Sequence, residues 1–141
     1  MKNDLEYQIN KLCDYINSIG YHAHKNHPER LNSGKYIKGE PYDYEIFLPD
    51  YKACFDAKQV TGDRWSFEEK DIKQAEHLKH CKNSGMDAFF LVFFVKSKKM
   101  IKFDVDVFIK ALQEGRKSLK AIEGENWNIE DILQKGGESD V

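Results

Sequence analysis

Cysteine is scarce in this chain: three residues in 141, at Cys13, Cys54 and Cys81. They form no CxxC pair, and an odd, widely spaced set builds neither a disulfide framework nor a four-ligand zinc site. Each reads as a small buried hydrophobe in a reducing compartment. His22, His24 and His27 lack a standard zinc spacing, as do His77 and His80 beside Cys81. No hydrophobic run reaches the length of a membrane span, and "MKNDLEYQIN" lacks the basic-then-apolar layout of a secretory leader. Net charge is almost absent too, −2 at pH 7 from 22 basic and 24 acidic residues. The chain as a whole therefore lacks the basic character usual in a dedicated nucleic-acid binder. There is no internal repeat. What is present is an ordinary globular composition, 40% hydrophobic and 33% charged, at a length that suits one domain with one core. A cytoplasmic location is expected.

The charge is unevenly spread. "LKHCK", "KSKKMIK" and "GRKSLK" are basic, while "EGENWNIEDI" and "GGESDV" are acidic, so local patches can track phosphates although the sum is negative. Leu5, Ile9, Leu12, Ile16 and Ile19 recur at helical spacing, predicting a helix over 4–19 closed by Gly20. A polar, loop-like segment follows from Tyr21, then two strands. Ser66 and Glu69 have the form of a capping box that opens a second helix running to about residue 83. "AFFLVFFV" is a continuous apolar run, as a strand buried on both faces would be. "KKMIKFDVD" predicts another strand, "VDVFIKALQEG" a short helix and "NIEDILQ" a last helical turn. The order α-β-β-α-β-β-α argues for an α/β fold, a mixed central sheet flanked by helices. One domain is expected over 1–135, with a frayed tail over 136–141.

Residues 42–60, "YDYEIFLPDYKACFDAKQV", put acids where plain strands carry Val or Thr. Side chains alternate along a strand, so Cys54, Asp56 and Lys58 share one face and Ala53, Phe55 and Ala57 the other. With Asp50 and Tyr51 as a two-residue hairpin loop, Glu45 falls opposite Asp56 and Asp43 opposite Lys58. Asp43, Glu45, Asp56 and Lys58 then converge. Two carboxylates 4 Å apart repel by about 4 kcal/mol at an effective dielectric near 20. One lysine cannot offset three such groups, whereas a hard divalent cation with oxygen ligands can. A surface hairpin with cross-strand Asp–Lys pairing is the plainer alternative. In the second helix, Gln74 falls at the centre of the face that should be apolar. A buried amide needs partners; here they are either backbone at a sheet edge or the acidic patch.

The spacing D-x12-D-A-K, from Asp43 to Asp56 and Lys58, resembles the core of the PD-(D/E)xK nucleases. The longer string "YDY…FDAKQVTGDRWSFEEKDIKQAEHLKH" is similar to the RecU-type Holliday-junction resolvases, which carry a "DY" strand, an "F-E-A-K" strand and a helix with "HQIEHMK". "LEYQIN", His24 and Lys25 near Pro28, and "GRKSLK" extend the likeness to about residue 120. The resemblance implies a restriction-endonuclease-like fold and a homodimer that cuts branched DNA, the four-way junction above all, with Mg2+, for which Mn2+ can substitute. It implies Asp43, Asp56 and the carbonyl of Ala57 as metal ligands, Lys58 at the attacking water or scissile phosphate, and Gln74 beside the metal. Glu6 matches a first-helix glutamate of related resolvases, and Glu45 is an extra acid; both are further candidate ligands. Lys25, Arg30, Lys35, Lys38, Thr61, Arg64 and Lys79 are the expected DNA contacts.

Two departures stand out. Asp56 replaces the commoner Glu, and the segment 22–42 is much shorter than the family's projecting stalk. The shortening leaves open a nuclease of the same fold acting on forks, flaps or duplex. A catalytically inactive binding module is the third alternative, disfavoured because Asp43, Asp56, Lys58 and Gln74 are all intact.

Overall fold

The computed structural model describes residues 4–25 and 44–128. In chain order these form α1 (Asp4–Ser18), β1 (His22–Lys25), β2 (Tyr44–Leu48), β3 (Tyr51–Val60), β4 (Arg64–Ser66), α2 (Glu69–Asn83), β5 (Asp87–Phe94), β6 (Lys99–Asp104), α3 (Val105–Gln113), β7 (Ser118–Lys120), a 3-10 turn (Ala121–Glu123) and β8 (Glu125–Asn126). Six strands make one sheet in the order β1-β2-β3-β5-β6-β8, while β4 and β7 form a separate ribbon. β3 and β5 run parallel; the other pairs of the main sheet are antiparallel. A parallel pair needs a crossover, and α2 supplies it.

Apolar side chains sort to the two faces of this sheet. Leu5, Ile9, Leu12 and Ile16 of α1 pack on one face against Phe55, Phe89 and Leu91. Leu78 of α2 and Phe108 of α3 pack on the other, against Cys54, Phe90 and Phe103. β5 feeds both clusters alternately, which is why its sequence shows no polar alternation. α1 ends where Gly20, at φ 99°, takes the left-handed turn that a Cβ would resist. Asn17 then clamps the chain by bonding both the N–H and the carbonyl of Ala23.

Several expectations need correction. Leu48 pairs with Tyr51, so Pro49 and Asp50 are the hairpin loop and the register is shifted: Glu45 stands opposite Cys54, not Asp56. Pro49 has no N–H to give a ladder and suits a turn. Ser66 lies in β4 and does not cap α2; Asp71 does, accepting the Glu68 N–H at 2.9 Å. Residues 22–25, expected as loop, form the edge strand β1, whose Ala23 is buried. β6 stops at Asp104, whose carboxylate accepts the Asp106 N–H at 2.9 Å and starts α3. β7, β8 and the 3-10 turn were not anticipated. "NIEDILQ", the tail and most of the stalk-like segment lie outside the described residues. Among the described residues no helix is long and apolar enough to cross a membrane.

Candidate active site

β3 runs through the middle of the sheet and turns Cys54, Asp56 and Lys58 toward α2. The N-terminal half of α2 lies over them, with Asp71 and Gln74 one helical turn apart on its inner side. Lys58 Nζ sits 2.7 Å from Asp56 Oδ2 and 2.5 Å from Asp71 Oδ1. Gln74 Nε2 donates to Asp56 Oδ1 at 3.2 Å. A carboxylate only accepts, so the amide nitrogen must face it and the amide oxygen must face away. That oxygen, Gln74 Oε1, is buried and has no hydrogen-bond partner among the described residues.

These are enclosed charges. Asp56 is 3% exposed and Asp71 0%, and the Lys58 side chain keeps 13%. Burial acts to lower the Lys58 pKa, but the charges and hydrogen bonds of Asp56 and Asp71 outweigh it and hold the ammonium above an ordinary lysine's value. A cleft of about 320 Å³ opens beside the group, lined by Asp56, Lys58, Gln74, Trp65, Ser66 and Lys70 among others. Paired ions with a route to solvent are what a site needs if a phosphate is to reach them.

The donor set fits a hard divalent cation. Asp56, Ala57 and Gln74 all line the cleft, and the Gln74 oxygen is a further oxygen donor without a partner among the described residues. Among the described residues no three His, Cys, Asp or Glu side chains converge as a complete metal site. Asp43, the other expected ligand, lies outside the described residues. Glu45 faces the same side of the sheet as Asp56, with Cys54 opposite it on β3. Glu6 belongs to α1, which covers the opposite face of the sheet, and its side chain is not among those described.

The expected DNA contacts are scattered. Thr61 is exposed in the turn after β3, and Arg64 on β4 is exposed with Nη1 3.1 Å from Ser118 Oγ. Both adjoin cleft-lining residues, Val60 and Trp65. Lys79 instead joins α2 to α3 through Asp106 at 2.7 Å. Lys25 ends β1, with Nζ 5.9 Å from the Tyr44 ring centre. Arg30, Lys35 and Lys38 lie outside the described residues. Sequence reasoning missed Asp71 and the cleft-lining Lys70. Asp71 was within reach of the same helical projection that singled out Gln74, since residues three apart share a face.

A family model described as "RecU: Recombination protein U" matches residues 4–135. The chain belongs to the RecU family. RecU proteins are Holliday-junction resolvases, endonucleases of recombination, and their nuclease family generally uses divalent metal. Among solved structures, this RecU-family chain is similar to Archaeoglobus fulgidus Hjc, described as a Holliday junction resolvase from an archaeal hyperthermophile. That match has 14% identity and a TM-score of 0.50, and it covers 82% of this chain and 89% of that one. At that identity the likeness is one of fold, restriction-endonuclease-like, with a mixed sheet between helices. No curated protein matches the chain.

Proposed function

We propose that this RecU-family chain is a Mg2+-dependent endonuclease that resolves four-way DNA junctions as a homodimer. The observation that carries the reading is the buried group of Asp56, Lys58 and Gln74 at the wall of an open cleft. A buried ion pair is weak support for stability alone, so a chemical role is the better account of it. Asp56, the Ala57 carbonyl and Asp43 would hold the metal, with Glu45 and Glu6 as further candidates. A divalent ion there supplies charge to the phosphate and acidifies a water.

The remaining work falls to the chain. Lys58 presents positive charge where phosphoryl oxygens gain negative charge as the bond breaks. Gln74 holds Asp56 with its nitrogen and keeps an oxygen available to orient a water. Thr61, Arg64 and Lys70 contact phosphates without reading sequence. Cutting two opposed strands of a symmetric junction needs two sites related by a two-fold axis, which a homodimer provides. Such an enzyme works where the DNA is, in the cytoplasm or nucleoid.

The test is cleavage of end-labelled four-way, forked and linear duplex DNA, side by side, in Mg2+ and in EDTA. Paired nicks in the four-way substrate in Mg2+, and none in EDTA, support the proposal. Equal cutting of all three shapes makes the protein a general nuclease of this fold. Binding without cutting makes it an inactive module.

A further inference from the structure

The family resemblance assigns no role to Asp71, yet no part of its surface is exposed. Its two oxygens have separate partners. Oδ2 accepts the Glu68 N–H and closes the first turn of α2; Oδ1 meets Lys58. Bonding back to the N-cap N–H needs neither burial nor a cation, and an exposed Glu or Gln at the same position does it as well. The contact with Lys58 is therefore the part that calls for a reason.

Lys58 is divided between two carboxylates, Asp56 at 2.7 Å and Asp71 at 2.5 Å. Asp56 in turn has both oxygens engaged, one by Lys58 and one by Gln74. A cation that is to bind Asp56 must loosen the hold of Lys58. Without Asp71 that would strand an ammonium in a largely enclosed place, at a cost that favours the closed Lys58–Asp56 pair.

We propose that Asp71 is a positioning residue for Lys58: it holds the ammonium at the cleft wall and so frees Asp56 to take a divalent cation. The inference rests on the nuclease reading above and goes further, since it assigns the release of Asp56 to a residue on another element. Two charge effects act together. Asp56, Asp71 and Lys58 carry one net negative charge, which draws a cation in, whereas Asp56 and Lys58 alone are neutral. When Asp56 turns to the cation, Lys58 keeps a buried counter-charge and stays in place to meet the phosphate.

Asp71→Asn tests this, because the amide retains the shape and an acceptor for the Glu68 N–H. Mn2+ binding to DNA-free protein, followed by electron paramagnetic resonance, should weaken tenfold or more in the variant. On four-way DNA at saturating Mn2+, kcat should fall with KM for DNA little changed. The decisive measurement is melting in EDTA with and without Lys58→Met. With Lys58 present, Asp71→Asn should lower Tm, because a buried ammonium loses a counter-charge. In the Lys58→Met background the same change should raise Tm, because it removes an uncompensated carboxylate beside Asp56. A plain helix cap would lower Tm in both. Unchanged Mn2+ affinity, or a lowered Tm in both backgrounds, overturns the proposal. If Asp71→Asn does not fold alone, comparison of Lys58→Met with the double variant decides. Wild-type protein that binds Mn2+ and shows the reversal but cuts no DNA refutes the nuclease reading while the Asp71–Lys58 coupling stands. Normal junction cleavage without the reversal does the opposite.

Discussion

Gln74 on α2 donates its side-chain amide to Asp56 on β3 at 3.2 Å, joining the helix to the strand that bears the expected metal ligand. Replacing Gln74 with Glu sets a carboxylate against that of Asp56. Repulsion should lower Tm in EDTA, and Mg2+ should restore more of it than it adds to the wild-type protein. Thermal melts with and without Mg2+ check this; equal Mg2+ shifts in the two proteins would place the metal elsewhere.

Asp56→Asn should reduce junction cleavage at least a hundredfold and leave the fold intact. Breaking a buried ion pair commonly costs about 3–5 kcal/mol, but Lys58 keeps Asp71 as a partner here. A smaller loss, about 1–2 kcal/mol, is expected by urea unfolding in EDTA. Cleavage by this variant at the wild-type rate in Mg2+ would remove Asp56 from the site.

Acid sensitivity should come in part from the far end of the chain. Arg116 hydrogen-bonds Glu123, the Lys120 N–H adds a second bond, and together they push the Glu123 carboxyl down from 4.5 to about 2. A depressed carboxylate contributes stability above its unfolded pKa and loses it as pH falls through the folded one. The loss should therefore run from about pH 4.5 down to about pH 2. Because the pair is largely solvated, screening keeps its worth small. Glu123→Gln should flatten that part of the stability–pH curve and leave the curve near neutrality almost unmoved.

Gly124→Ala should destabilise for a steric reason. A Cβ there would meet Ile101 Cγ2 at 2.5 Å, the Lys102 carbonyl oxygen at 2.8 Å and Phe103 Cδ1 at 2.9 Å. Two of these belong to packed side chains of β6 and one to its backbone, so the strand must shift. Overpacking of this kind costs about 1–3 kcal/mol, readable as a lower urea midpoint with an unchanged slope.

Much of this architecture could be seen in the residues themselves. The run from Ala88 to Val95 announced a strand buried on both sides because nothing polar interrupts it, and β5, Asp87–Phe94, is that strand. Alternation along β3 placed Asp56 and Lys58 together without reference to any neighbour. The hairpin register failed by one residue in the loop, although Pro49, unable to donate, already pointed to the turn that forms. β7 and β8, with three and two residues, are too short for any period to show. Asp71 is harder to single out, since an acid in the first turn of a helix also reads as ordinary dipole compensation. Packing adds what the helical projection does not give, that it meets Lys58.

The crossover from β3 through α2 to β5 also sets how the site is assembled. Asp56, Lys58, Asp71 and Gln74 all belong to one uninterrupted stretch of chain, and their partners are at most 18 residues apart along it. Loops that short close at little entropic cost, whereas the pairing of β7 with β4 must wait for a far longer one. The charged half of the centre should thus form with the β-α-β unit itself, and damage to the C-terminal strands should reach catalysis late, through stability before geometry.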